Sequence, residues 1–407
     1  MKKRIKCGYL LLTTLLFFST AYARELIFEE SPVVTEHITQ NQQGSTQKQE
    51  VEEEAGKKEN SLPAQSYEVT HPIPAKDRLY PCSHQHCYWN TPMDIRNTQA
   101  IWDAMMEPMI ILEGNEKKQY YLRESPSTEA KAVGEITYAS QGVHVLETLD
   151  NGWSFVETYS SSFHGSKIEV WGDFVQGYVE TKLLKEKPAA KEYGIVIDKL
   201  TQRMYILKEG ELYTTMAIST GLANEKQPFN ETRSGEYAIV SAVGAFMSDN
   251  LVCELALRYN AGDLIHKVPY ILRGDTKYFD SEEPKLGERA SHGCVRVQRK
   301  RTPEGINQDW LWANRAMGTR VWIWEDYQGR QVDVPESSLP LYYNPNGGQN
   351  YHSQQECYGV KDKYLPLAAF TYGQLGENPY ASLTPCQYCI PPLRPESIEE
   401  KNLQYAK

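Results

Sequence analysis

Long apolar runs are absent from this chain of 407 residues. The one near its start, Leu10 to Phe18, falls short of the ~20 residues that a bilayer-spanning helix needs, and nothing later approaches that length. No transmembrane segment is therefore expected. A surplus of positive charge is missing as well, since 43 Lys and Arg stand against 53 Asp and Glu for a formal net charge of −10. That balance disfavours a nucleic-acid partner, because phosphate binding draws on clustered cations. Residues 190–326 contain no phosphate-binding loop, metal-hydrolase motif or cofactor signature, so chemistry there is expected to need no cofactor. Cysteine is sparse at eight residues, which makes the position of each informative.

What is present begins with Lys2, Lys3, Arg4 and Lys6 ahead of the apolar run and Ala21-Tyr22-Ala23 after it, the three parts of a secretory signal peptide over residues 1–23. Removing those four cations takes the net charge from −10 to −14. The protein is thus expected to be exported, to the periplasm or to the cell wall and extracellular space. Cys7 precedes the apolar core, which argues against lipid attachment there. Residues 24–78, with Gln40 to Ser45 and Glu50 to Glu54, lack any apolar period and read as a disordered linker. Residues 79–107 form an N-terminal helical segment, in which Ile95, Ile101, Trp102 and Met105 recur at helical spacing. Cys82, His84, His86 and Cys87 stand too close together to face one ion with ease; a Cys82–Cys87 disulfide or two free thiols suits an exported chain. With 40% hydrophobic residues, the remainder can hold two or three domains with cores of their own.

The stretch Ala290-Ser291-His292-Gly293-Cys294-Val295-Arg296-Val297 combines a thiol, an imidazole and a glycine. A free cysteine titrates near pH ~8.5 and becomes an efficient nucleophile where a base or a positive charge favours the thiolate, so Cys294 is the candidate nucleophile. Gly293 lets the backbone pass close to a substrate, and N–H groups at such a turn can converge on an oxyanion. Cys253 reads instead as a small buried apolar residue.

Ser-His-Gly-Cys followed by an apolar residue resembles the signature of the L,D-transpeptidase (YkuD-like) catalytic domain of bacterial cell-wall enzymes. His266, in Gly262-Asp263-Leu264-Ile265-His266, resembles the family's upstream histidine. Twenty-four residues separate it from Ser291, more than the family spacing, and the surplus around Asp280 to Lys285 reads as a polar surface insertion. Ile195 to Asp198 and Leu200 to Ile206 resemble the family's opening hairpin. Ile218 to Gly221 and Thr232 to Tyr237 resemble two further family stretches, with Arg233 and Ser234 in place of the usual residues. The resemblance implies a YkuD-type β-sandwich over residues 190–326. It implies Cys294 as nucleophile, His266 as base with its ring oriented by the Lys267 carbonyl, and His292 and Gly293 at the oxyanion site. Ser291 would fix the turn. Arg296 would clamp a stem-peptide carboxylate or else pair with a local acid at the surface, and Tyr259, shortly before His266, would touch substrate.

Residues 108–185, with short strands and Asn151-Gly152-Trp153 and Gly177-Tyr178-Val179, resemble a bacterial SH3-like domain, either a wall-peptide binder or a spacer barrel. Lys185 to Lys191 reads as a hinge. The fold class expected is mainly β: an SH3-like small barrel, a YkuD-type β-sandwich, and a small C-terminal Cys/His module over residues 340–395. In that module Cys386-x-x-Cys389 presents two sulfurs from one tight turn, and His352 and Cys357 supply two further ligands for a tetrahedral ion. The pattern resembles zinc-binding domains of the Ada type, which implies a structural zinc without a catalytic part. A disulfide among the three cysteines is the alternative, and it would leave one cysteine over. The activity implied is cleavage of the L,D-amide of a peptidoglycan stem peptide through a thioester, with acyl transfer to an amine. Hydrolysis of the same bond by an L,D-carboxypeptidase and non-catalytic peptidoglycan binding are the alternatives.

Overall fold

The strand Gly194–Asp198 (β8) is buried along its whole length, as a central strand covered on both faces must be. Its neighbour Arg320–Trp324 (β18) runs parallel to it and is buried throughout. Alternation along these strands sends Ile195, Ile197, Val321 and Ile323 to one core and Val196, Trp322 and Trp324 to another. The second core is closed by the helix Thr98–Met106 (α1) together with Tyr88 and Trp89, and the Tyr88 hydroxyl donates to the Ile323 carbonyl at 2.9 Å. The N-terminal helical segment therefore packs on the strands expected to carry catalysis.

These details come from a computed structural model that describes residues 87–115, 118–325 and 330–404, all within a single unit. The expected signal peptide and linker, and Cys82, His84 and His86, lie outside the described residues. Cys87 is disulfide-bonded.

In chain order, Met109–Leu112 (β1) precedes an antiparallel five-stranded sheet built from Tyr120–Arg123 (β2), Ala132–Ile136 (β3), His144–Thr148 (β4), Trp153–Ser161 (β5) and Trp171–Glu180 (β6). Its order is β3-β2-β6-β5-β4, around Leu122, Ile136, Val143, Val156 and Val179. Leu184–Lys187 (β7) pairs with β1, so part of the expected hinge is a strand. The Lys187 carbonyl there accepts from the Arg320 guanidinium at 2.5 Å.

A nine-stranded sheet follows. It comprises β8, Arg203–Lys208 (β9), Glu211–Ser219 (β10), Gly235–Ala238 (β11), Ser241–Ser248 (β12), Leu251–Arg258 (β13), Leu264–Lys267 (β14), Val295–Val297 (β17) and β18, in the order β11-β18-β8-β9-β10-β17-β14-β13-β12. Residues from both halves share one core, with Leu311 of the helix Gln308–Ala313 (α2), so the sheet curls round a common interior. The segment between β14 and β17 holds a hairpin, Ile271–Arg273 (β15) with Thr276–Tyr278 (β16). The same segment includes the stretch around Asp280 to Lys285 that was expected to be a polar surface insertion. Glu282 and Leu286 within it are buried, because one carries an ion pair and the other packs on Ala217 and Val268.

The tail forms a four-stranded sheet of Pro340–Tyr343 (β19), Asn350–His352 (β20), Ala368–Thr371 (β21) and Thr384–Pro385 (β22), in the order β21-β19-β20-β22, followed by the helix Pro395–Gln404 (α3). Among the described residues no helix is long and apolar enough to cross a membrane.

Candidate active site and a four-ligand cluster

β17 is short but central to the site. It pairs antiparallel with the end of β10 and parallel with β14, in a register that sets Ile265 against Val295 and His266 against Arg296. Val295, Val297 and Ile265 are fully buried in the core. Side chains alternate along a strand, so Cys294, just before β17, shares the opposite face with Arg296 and with His266 on the adjoining strand. This brings the candidate nucleophile and the candidate base onto one surface despite their separation in sequence.

The turn leading into β17 is held from several sides. The Ser291 hydroxyl donates to the Cys294 carbonyl at 2.5 Å and accepts from the Gly293 N–H at 3.2 Å. The Thr232 hydroxyl donates to the Gly293 carbonyl at 2.7 Å and accepts from the Gly221 N–H at 2.8 Å. Gly293 has φ +118°, and a Cβ there would lie 2.8 Å from Asp263 Oδ1, so both conformation and space call for glycine. Glu231 pins the approach by pairing with Lys199 at 2.5 Å and Arg289 at 2.9 Å.

His266 is buried, with its ring edge-on to Phe246 of β12 at 5.5 Å between centroids. Its Nδ1 lies 2.7 Å from the Lys267 carbonyl. A carbonyl only accepts, so Nδ1 carries the proton and Nε2 is left as the basic nitrogen. Burial pushes the imidazole down to about 4, against the opposing pull of the Lys267 carbonyl. Burial, and then the Asp263 carboxylate, push the Cys294 thiol up to about 12. At neutral pH the resting pair is an uncharged thiol and an uncharged imidazole. Cys294 is partly exposed, its Sγ 3.9 Å from the Gly262 carbonyl, and His292 is exposed beside it.

Two expected substrate contacts are placed differently. Tyr259, just after β13, has no exposed surface and packs edge-on to Tyr237 at 5.4 Å, within the core that it shares with Leu257 and Ile265. Arg296 is buried and pairs with Glu282 at 2.8 Å, which also takes Lys285, so its guanidinium is committed within the protein. Thr232, Asp263 and Glu282 are the neighbours that sequence reading missed as parts of the site. Arg233, noted there as a departure from the family pattern, pairs with Asp263 at 2.5 Å and also donates to the Ser162 carbonyl. The five-stranded sheet is thereby joined to the segment beside Cys294.

In the tail, His352, Cys357, Cys386 and Cys389 are all buried and their ligand atoms lie within 4.8 Å of one another. The Cys357 and Cys386 sulfurs are 3.9 Å apart, and Cys389 Sγ is 3.5 Å from His352 Nδ1. A tetrahedral zinc with bonds of roughly 2.3 Å to sulfur and 2.0–2.1 Å to nitrogen sets edges of roughly 3.8 Å and 3.5 Å, close to these two distances. The three thiols are free, and a disulfide would need sulfurs at about 2.05 Å. The Gly359 N–H donates to Cys357 and the Ser353 N–H to Cys389, at 3.3 and 3.4 Å. A groove of about 620 Å³ against this cluster, lined by Arg203, Tyr213, Tyr358, Tyr388 and Cys389, includes neither Cys294 nor His266.

Residues 192–323 match the family model described as the L,D-transpeptidase catalytic domain, YkuD. A Bacillus subtilis (strain 168) protein named "Putative L,D-transpeptidase YciB" is 28% identical over 162 residues, covering 37% of this chain and 78% of its own length. A solved L,D-transpeptidase from Xylanimonas cellulosilytica is 20% identical, with a TM-score of 0.24, over 34% of this chain and 64% of that one. An L,D-transpeptidase from Mycobacterium tuberculosis H37Rv is 16% identical, with a TM-score of 0.27, over 51% of this chain and 97% of that one. This chain thus spans under two thirds of the Xylanimonas structure. The segment that holds Cys294 and His266, residues 192–323, is accordingly the part of the chain that is similar to the L,D-transpeptidase catalytic domain of the YkuD family.

Proposed function

We propose that the protein is an exported cell-wall L,D-transpeptidase, acting on peptidoglycan stem peptides in the periplasm or cell wall. Cys294 Sγ attacks the L,D-amide carbonyl while His266 Nε2 takes the thiol proton. The tetrahedral intermediate collapses as His266 returns that proton to the departing D-residue amine, leaving a thioester. An acceptor amine then attacks the thioester, its proton passes to His266, and the regenerated thiol closes the cycle. The Cys294 N–H, Gly293 and His292 line the place where the oxyanion develops. The observation that carries this reading is the Nδ1 contact to the Lys267 carbonyl, which leaves Nε2 basic on the face that Cys294 shares. Residues 108–185 are read as an SH3-like domain beside that site.

Mass analysis with a tetrapeptide donor and a second stem as acceptor tests the reaction. Cross-linked product is expected. Tripeptide and free D-residue alone, at high acceptor concentration, would instead identify a carboxypeptidase. No cofactor enters the chemistry. For the tail, the edge lengths of the Cys/His cluster support a closed structural zinc site, with about one zinc per chain expected.

A further inference from the structure

The turns that carry the tail's ligands also carry two tyrosines that reach the catalytic strands. Tyr358 follows Cys357, and Tyr388 lies between Cys386 and Cys389. The Tyr358 hydroxyl donates to the Tyr388 carbonyl at 2.9 Å, tying one ligand turn to the other. Gln298, directly after β17, donates to the Tyr358 hydroxyl at 3.3 Å and accepts from the Ala217 N–H of β10 at 2.9 Å. The Tyr388 hydroxyl donates to Glu283 Oε1 at 3.2 Å. Glu283 pairs with Arg299 at 2.6 Å, and its neighbour Glu282 pairs with Arg296 in the middle of β17. Lys300 lies over both tyrosine rings, at 5.8 and 5.4 Å from their centroids.

We propose that the tail module is a metal-dependent buttress for β17, so that zinc occupancy sets the reactivity of Cys294. The proposal rests on the zinc reading and on Cys294 being the acylated residue. A four-ligand ion cross-links two irregular turns that have little regular structure of their own. Loss of the ion frees those turns, and with them the contacts at Gln298 and Glu283. These contacts hold the far end of β17 and the segment that pairs with Arg296. Arg296 stands between Cys294 and Gln298 and opposite His266, so its displacement shifts the nucleophile relative to the base.

The test follows acylation of Cys294 by a carbapenem β-lactam in the full chain, read on the tryptic peptide 290–296 so that tail thiols do not contribute. Zinc content is measured in parallel. Chelation is expected to slow acylation about tenfold, within the range of ordinary coupling between sites, and added zinc should restore it. The double variant Tyr358→Phe/Tyr388→Phe keeps every ligand; it should retain zinc yet be slowed several-fold. Unchanged acylation after zinc is removed, or in that zinc-loaded variant, overturns the buttress and leaves the zinc reading standing. Protein purified under reducing conditions without zinc overturns both. Failure of the zinc-loaded wild type to acylate at Cys294 overturns the catalytic reading and the buttress with it.

Discussion

On the proposed mechanism, Cys294 and His266 both rest uncharged, so the proton would move as the substrate is attacked, not before. With its thiol pushed up to about 12, Cys294 should react with iodoacetamide more slowly than a free thiol at pH 7. Its rate should also show no plateau near pH ~8.5, where free cysteine levels off. A plateau below pH 8, read on peptide 290–296, would mean that the thiolate is already stabilised. Asp263→Asn removes the carboxylate that raises the thiol, so alkylation at pH 7 should quicken several-fold. Cys294→Ala should abolish thioester formation with little change in melting temperature, and His266→Ala should lose acylation nearly as fully. Retained turnover in either variant refutes its assigned role. His266 also links stability to pH. Its folded value of about 4 lies below the ordinary 6.5, so only the unfolded chain gains a proton between those values. Stability is therefore full above pH 6.5 and falls by on the order of 3 kcal/mol as pH drops to 4. Urea unfolding at pH 7 and 4.5 should show a smaller loss in His266→Gln than in wild type.

The turn before β17 and the segment from β15 to Leu286 act as supports for that strand. Gly293→Ala forces a side chain into a left-handed conformation against Asp263, a cost of about 1–3 kcal/mol before any loss of activity. Glu282→Gln leaves the buried Arg296 charge without its partner, and breaking such a pair costs roughly 3–5 kcal/mol. Chemical denaturation should place Glu282→Gln well below wild type, whereas Asp280→Asn, nearby but without a resolved partner, should stay within experimental error. Equal midpoints for the two variants would show that the segment is only a surface loop. The β12–β13 hairpin makes a related contribution, since Phe246 covers one edge of the His266 ring and helps keep it dry.

The parts of the protein are joined too closely to be independent modules. Backbone bonds from Gly142 to the Glu236 carbonyl and from Ala238 to the Ser140 carbonyl, both 2.8 Å, stitch the five-stranded region to β11. Tyr88, Trp89, Ile101 and Met105 cover Val196, Trp322 and Trp324. A chain starting at residue 186 would expose that second core and remove the Ser162 carbonyl that Arg233 binds. It should be recovered largely aggregated, by size-exclusion chromatography, where the full described region is expected to remain monodisperse. Monodisperse recovery would mean that the N-terminal region is dispensable for folding. At the other end, ending the chain after residue 325 should slow Cys294 acylation by removing Tyr358 and Tyr388, although the tail contains none of the residues placed in the acyl transfer.

Order along the chain was enough to single out Ser291, Gly293 and Cys294, because their contacts lie within one turn and neighbouring residues determine such a turn. The same holds for Cys386 and Cys389, which a single C-x2-C turn sets side by side. His266 was proposed through the family resemblance of its flanking residues, and its link to Lys267 is local. Other features depended on register between distant strands. Whether Tyr259 faces substrate or core depends on how the chain bends after β13, and the fold sends it inward. Arg296 could be read either as a carboxylate clamp or as the partner of a local acid until Glu282, 14 residues earlier, was brought beside it. Asp263 meets Arg233 from 30 residues away, and Tyr388 meets Glu283 across 105. Local sequence specifies turns and ligand spacing, but which charges share a buried volume is decided only when the strands pair, since burial makes their pairing obligatory.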